Sequence, residues 1–166
     1  MTIRTALETD LQAIVDIYNQ AVSMGNATAD TEPTNIEPRR SWLAAHSIDQ
    51  HPVYVEEDNG TVRGWCSLTP YRAGRKALRH TAEISYYVDN QCQRQGIASR
   101  LVKHAMQDCS RLNLKTLFAI ILDTNQGSIS LLKKFGFEEW GYMPGVADFD
   151  GTECGHTYLG KRVESI

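Results

Sequence analysis

Between His80 and Val102 the chain changes character twice. Thr81-Ala82-Glu83-Ile84-Ser85-Tyr86-Tyr87-Val88 is β-branched and aromatic, and Asp89-Asn90-Gln91-Cys92 is polar. Gln93-Arg94-Gln95-Gly96-Ile97-Ala98-Ser99-Arg100-Leu101-Val102 then opens an amphipathic helix. A strand therefore enters a loop, and the loop feeds a helix N-terminus. The first amides of a helix have no internal partner, and the helix dipole adds positive potential there, so such a start is a ready site for phosphate. Gly96 and Ala98 carry little or no side chain and let a bulky anion approach the backbone. The combination points to a phosphorylated cofactor, and the strand before it carries one carboxylate, Glu83. No G-x-G-x-x-G occurs, which argues against a dinucleotide-binding Rossmann unit.

A chain of 166 residues is expected to form one domain, 1–166, with a proper core. Its net charge of −3 gives no general attraction to nucleic acid or to an anionic membrane. No apolar run approaches the roughly 20 residues that span a bilayer. Met1-Thr2-Ile3-Arg4 leads straight into a strand-like segment, which reads as the absence of a signal peptide. Cys66, Cys92, Cys109 and Cys154 are scattered without a C-x-x-C pair, so neither a metal site nor a disulfide framework is expected. Reduced thiols fit a cytoplasmic location.

Along the chain, Thr2 to Ala6 alternates as a strand and Thr9-Asp10 offers a helix cap. Apolar residues at helical spacing predict a helix from Leu11 to about Ser23. The polar stretch from Met24 to Pro38 reads as a loop, and Pro38 to His46 as a short helix. Pro52 to Glu56 and Thr61 to Leu68 read as a hairpin around Asp58-Asn59-Gly60. Tyr71 to His80 holds Arg72, Arg75, Lys76 and Arg79 without an acid, and this dense basic cluster reads either as a solvated loop or as a landing site for a negative group on a substrate. Gln95 to Leu112 is a helix, Lys115 to Leu122 a buried strand, and Gly127 to about Phe135 a helix ended by Gly136. Phe137 to Tyr142 begins a strand, Pro144-Gly145 and Asp150-Gly151 read as breaks, and Glu153 to Val163 is the last strand. The order is βααβββαβαββ.

Gln93-x-x-Gly96-x-Ala98 resembles the Q/R-x-x-G-x-G/A signature of the GCN5-related N-acetyltransferases (GNAT). The element order and the segment from Asn125 to Gly136-Phe137 carry the resemblance over nearly the whole chain. Arg75 to Val88, with Ala27 to Pro33, Arg40-Ser41-Trp42 and Glu139 to Ala147, resembles the phosphinothricin N-acetyltransferase branch. The resemblance implies the α+β, three-layer GNAT acyl-CoA N-acyltransferase fold, with a mixed central sheet flanked by helices. It implies that Arg94, Gln95, Gly96, Ile97, Ala98 and Ser99 cradle the pyrophosphate of acetyl-CoA. Tyr86, Tyr87 and Val88 would pair with the pantetheine arm through the strand backbone, and Asn125 would reach the same arm.

Three departures are visible in the sequence. Leu132 stands where many relatives carry Tyr or His near the departing sulfur. The stretch from Phe149 to His156 lacks the Trp of the best-known members, and Ala29 stands where an aromatic is frequent.

With the resemblance, Glu83 becomes the candidate base that takes a proton from the acceptor amine, directly or through one water. A strand amide near Tyr87 or Val88 would polarise the thioester carbonyl. Without an acid at Leu132 the thiol, of pKa about 8.5, would leave as thiolate. The four cysteines read as structural, and His156 as a residue that could face the acceptor. The resulting expectation is a cytoplasmic N-acetyltransferase that moves the acetyl group of acetyl-CoA to the primary amine of a small molecule. The acceptor class is an amino acid or analogue of the phosphinothricin, methionine sulfoximine or sulfone type, held by Arg75 with help from Arg72. No metal, nucleic acid or membrane is expected, and a homodimer is implied in which the 24–38 loop reaches the partner's pocket. A protein or peptide N-acetyltransferase of the same fold and a non-catalytic acyl-CoA sensor are the two alternatives.

Overall fold

Period-two runs rich in Val, Ile, Thr and aromatics alternate with helical apolar stripes, and the computed structural model, described over residues 1–163, turns them into seven strands and four helices. The strands are β1 (Thr2–Thr5), β2 (Val53–Asp58), β3 (Thr61–Pro70), β4 (Thr81–Val88), β5 (Thr116–Leu122), β6 (Glu138–Phe149) and β7 (Thr152–Arg162). The helices are α1 (Leu11–Met24), α2 (Ile36–Ala44), α3 (Ile97–Asp108) and α4 (Gln126–Lys134), and the chain order is the expected one. One sheet runs β1-β2-β3-β4-β5-β7-β6. All neighbours are antiparallel except β4 and β5.

Each sheet face has its own core. Alternation on β3 and β4 sends Trp65 and Tyr87 toward α1 and α2, where they meet Ile14, Ile17, Tyr18 and Val22. Cys66, Leu68, Ala82 and Ile84 point the other way, into a cluster with Leu101, Val102 and Leu132. Trp65 is only 1 % exposed and its Nε1 donates to the Ile14 carbonyl at 3.2 Å, which locks α1 to β3. Gly64 lets α3 come close: a Cβ there would stand 2.8 Å from Ile97 Cγ2 and 3.0 Å from the Tyr87 carbonyl oxygen.

Several boundaries differ from those expected. Pro144-Gly145 does not break the strand. β6 continues to Phe149 through an irregularity between Met143 and Ala147, a bulge that absorbs Pro without a ladder donor, and Asp150-Gly151 makes the turn. α2 begins two residues before Pro38, which sits in its first turn, where the missing N–H costs nothing. α3 stops at Asp108 rather than Leu112. Asp10 makes no side-chain cap to α1, because its carboxylate accepts the Leu7 amide at 2.7 Å and pairs with Arg4. α4 ends as the sequence suggests: Phe137 N–H reaches the Leu132 carbonyl at 3.1 Å, Gly136 N–H reaches Lys133 at 3.0 Å, and Gly136 has φ +79°. That is a Schellman motif closed by buried Phe137 on buried Leu132.

Candidate active site

β4 and β5 pair only from Thr81/Thr116 to Glu83/Phe118. Beyond Glu83 the two strands part, although β4 runs on to Val88 and β5 to Leu122. The edge of β4 that turns to β5 therefore has no strand partner over its last five residues, and every second backbone group there is left to a ligand.

A cavity of about 420 Å³ fills this splay. Its floor is the backbone of Ile84–Val88, one wall is Asn125, Ser128 and Leu131 of the α4 start, and its far end is Arg94, Gly96, Ile97, Ala98 and Ser99. Arg94 and Gly96 are both left-handed, with φ +61° and +78°. The six consecutive amides from Arg94 to Ser99 donate to no acceptor among the described residues. Consecutive free amides at a helix start form an anion nest, as the sequence suggests. Arg100 stabilises it from behind: its Nη1 donates to the Gln95 carbonyl at 3.0 Å and its Nη2 meets buried Glu56 at 2.5 Å.

Nine of the ten expected cofactor residues line the cavity: Tyr86, Tyr87, Val88, Arg94, Gly96, Ile97, Ala98, Ser99 and Asn125. Gln95 is in the loop but outside the lining, and its carbonyl serves Arg100. Asn125 has a second task, since its Oδ1 accepts the Ser128 amide at 3.2 Å and caps α4. Sequence reasoning missed the opposite wall, Ala21, Met24, Asn26 and Ala27, from the end of α1 and the loop after it. Gly25, with φ +73° as the α1 C-cap, was the available signal for that turn. Leu132 is 0 % exposed in the core, so it brings no polar group to the cleft.

On the α1/α2 face, cross-strand pairs step along β3 and β4 as Trp65–Tyr87, Ser67–Ser85 and Thr69–Glu83. Two small hydroxyl residues, buried Ser67 and half-buried Ser85, lie between an aromatic pair and the carboxylate. Arg39 and Trp42 of α2 and His46 just past its end recur at helical spacing over this face. Trp42 meets Trp65 edge-on at 5.4 Å, and His46 Nε2 stands 3.5 Å from Thr69 Oγ1. Glu83 is half-buried with no hydrogen bond or ion pair among the described residues, and burial raises its pKa above the usual carboxylate range. Burial pushes the Tyr86 phenol up to about 12 and lifts Tyr87 as well, so both hydroxyls stay protonated at neutral pH. Cys66 is raised by burial and Cys109 is pushed up to about 12, which leaves both as inert thiols.

Arg72 and Arg75 are not brought to the cleft. They line a separate cavity of about 690 Å³ with Lys76, Arg79, His51 and Arg111, and Glu83 is absent from its lining. The reason is local: Tyr71 N–H bonds to the Thr81 carbonyl at 3.2 Å, and left-handed turns at Arg72 and Gly74 carry the loop outward. Tyr71 at the loop's base comes near Glu83, edge-on at 5.0 Å to Phe118, the strand partner of Glu83. His156 is half-buried on β7 opposite Leu122.

Residues 11–137, which contain the splay and the nest of free amides, match the Acetyltransferase (GNAT) family. The chain belongs to the GNAT acetyltransferases. Among relatives of this GNAT chain, YwnH of Bacillus subtilis (strain 168) is 40 % identical over 164 residues, covering 98 % of this chain and 99 % of its own. The L-methionine sulfoximine/L-methionine sulfone acetyltransferase of Salmonella typhimurium is 33 % identical, covering 88 % and 85 %. A solved phosphinothricin acetyltransferase of the GNAT superfamily from Sinorhizobium meliloti, in complex with AcCoA, is 26 % identical with a TM-score of 0.91, covering 98 % of this chain and 88 % of that one.

Proposed function

We propose that this GNAT enzyme acetylates the primary amine of an amino acid or an oxygenated analogue, of the methionine sulfone, methionine sulfoximine or phosphinothricin kind. The observation that carries this reading is the unpartnered end of β4, which runs from Glu83 past Ser85 to the loop that bears the amide nest. The residues fit acetyl-CoA. The Arg94–Ser99 amides suit its pyrophosphate, and the free edge of Tyr86–Val88 suits the amides of its pantetheine arm. Acetyl-CoA, when bound, supplies a thioester whose carbonyl is open to an amine.

Glu83 holds the amine beside Ser85 and takes its proton, directly or through one water. A strand amide at Tyr87 or Val88 polarises the thioester carbonyl. With Leu132 apolar, no side chain protonates the sulfur, and the thiol leaves as thiolate. Transfer is direct, because none of the four cysteines has a histidine partner among the described residues that would make it a nucleophile.

The protein works in the cytoplasm as a homodimer in which the start of the 24–38 loop serves its own chain's cavity. Trp140, Tyr142, Met143 and Val146 on β6 offer an exposed apolar surface for the pairing. A monomer in light scattering at working concentration would remove the dimer.

The enzyme test is release of free thiol from acetyl-CoA across an amine panel. Turnover of an amino-acid sulfone supports the reading, and preference for peptide N-termini would move it to protein acetylation. Tight acetyl-CoA binding with no turnover on any amine would leave a sensor.

A further inference from the structure

Arg39 is an arginine without a counterion. Its guanidinium carbon lies 4.0 Å from the centre of the Tyr18 ring, 4.9 Å from Trp42 and 5.8 Å from Trp65. Among the described residues it makes no ion pair and no hydrogen bond, so its five N–H donors lack acceptors. The next residue shows the contrast: Arg40 pairs with Glu8 and Glu37. The carboxylate of Asp30, the acid nearest in this network, is engaged by the Tyr18 hydroxyl, which also meets Thr28 Oγ1 at 2.9 Å. Cation–π contact orients a planar cation but leaves its in-plane donors unused. A half-buried guanidinium with free donors suits an oxyanion or a polar S=O or P=O group.

Its place relative to Glu83 decides which group. Trp65 is the aromatic beneath Arg39, and its pair with Tyr87 is two cross-strand steps from Thr69–Glu83, with Ser67–Ser85 between. Same-face pairs are about 7 Å apart along a strand, so the two pairs stand about 14 Å apart at the backbone, a gap shared between the Glu83 side chain, the acceptor and the Arg39 side chain. An acceptor whose amine is at Glu83 would thus cross the serine step and bring the far end of its side chain, rather than its α-carboxylate, toward Arg39.

We infer that Arg39 is a specificity residue of the acceptor site and binds the oxygen-bearing group at the distal end of an amino-acid side chain. This rests on the amino-acid acceptor proposed above and adds which end of the molecule is read. Tyr18, Trp42 and Trp65 form the aromatic cradle that fixes the guanidinium plane, and the small Ser67–Ser85 pair makes room for the methylenes.

The test compares methionine sulfone with norleucine, a chain of similar length without the two oxygens, for wild type, Arg39→Met and Arg39→Lys. Wild type is expected to favour the sulfone by at least about tenfold in kcat/KM. In Arg39→Met that ratio falls about tenfold, toward unity, within the scale of losing charge-assisted hydrogen bonds, and the loss appears in the KM for sulfone with the KM for acetyl-CoA held. Arg39→Lys keeps the charge without the fork and should recover part of the preference, and it serves in place of Arg39→Met should that variant melt below the assay temperature. Calorimetric titration of methionine sulfone into the enzyme–CoA complex gives the same ranking without turnover. An unchanged ratio in both variants, or equal losses on both acceptors, would overturn the assignment while leaving the acetyltransferase reading intact. If wild type neither binds nor acetylates either amino acid, the acceptor class itself fails and Arg39 with it.

Discussion

Arg100 Nη2 stands 2.5 Å from Oε1 of Glu56, a carboxylate only 1 % exposed in the middle of β2, while Arg100 Nη1 holds the Gln95 carbonyl at 3.0 Å. One side chain thus ties the sheet to the first turn of α3 and to the loop that bears the amide nest. Removing the cation strands a buried charge, a loss of roughly 3 kcal/mol. Arg100→Met should show that loss in urea unfolding, and its KM for acetyl-CoA should rise because the nest has lost its backing. Replacing both partners, Glu56→Gln with Arg100→Met, should recover much of the stability and little of the affinity.

Glu83 is predicted to trade stability for chemistry. Glu83→Gln should lower kcat by about 10²–10⁴-fold with acetyl-CoA binding retained. In wild type, kcat/KM should rise with pH through a limb above the usual carboxylate range, because burial raises this group. A raised pKa means that the folded state binds the proton more tightly than the unfolded chain does. Its favourable contribution is complete below the ordinary carboxylate pKa and is lost as pH rises through the higher folded value. Glu83→Gln should therefore melt higher than wild type at pH 7, and thermal melts at pH 4 and pH 7 should show the advantage shrinking in acid.

Gly64 is the point of closest approach between β3 and α3. Gly64→Ala places a methyl against Ile97 Cγ2 and the Tyr87 carbonyl, both at the cleft. We expect a loss of about 1–3 kcal/mol and a several-fold higher KM for acetyl-CoA, read by chemical denaturation and initial rates.

Tyr18 pins the start of the 25–35 loop through Thr28 and Asp30. Tyr18→Phe removes both bonds but keeps the ring under Arg39. It should cost about 1–2 kcal/mol and raise the KM for the acceptor more than the KM for acetyl-CoA. Equal rises in both would place the loop's role at the cofactor wall instead.

The parts legible in the sequence are those set by neighbours along the chain. Asn59-Gly60 made its turn, with φ +50° and +78°, and Gly136-Phe137 closed α4 as a Schellman motif. The helix start at Gly96 was visible because consecutive amides need only a glycine and a following helix. Pro144-Gly145 misled because a bulge in one strand depends on its partner, which lies beyond the Asp150-Gly151 turn. Arg72 and Arg75 stood out as charge density, yet where they point depends on the hydrogen bond from Tyr71 to Thr81. Arg39 gave no signal: beside Arg40 it reads as a solvated helix face, and only α2 packing on Trp65 and Tyr18 separates the two.

The parting of β4 from β5 makes the sheet a structure with a seam. Hydrogen bonding holds its two halves together over only Thr81–Glu83 and Thr116–Phe118 on that side, so past Glu83 the amides of β4 that face the seam are open to exchange with solvent. Whatever occupies the splay completes the sheet as a missing strand would, and a ligand that binds only the folded state raises stability with its concentration. The working protein is then most rigid when loaded and loosens each time it lets go. Its resistance to proteolysis should follow the supply of acyl-CoA, and deuterium uptake along Ile84–Val88 is the place to see it.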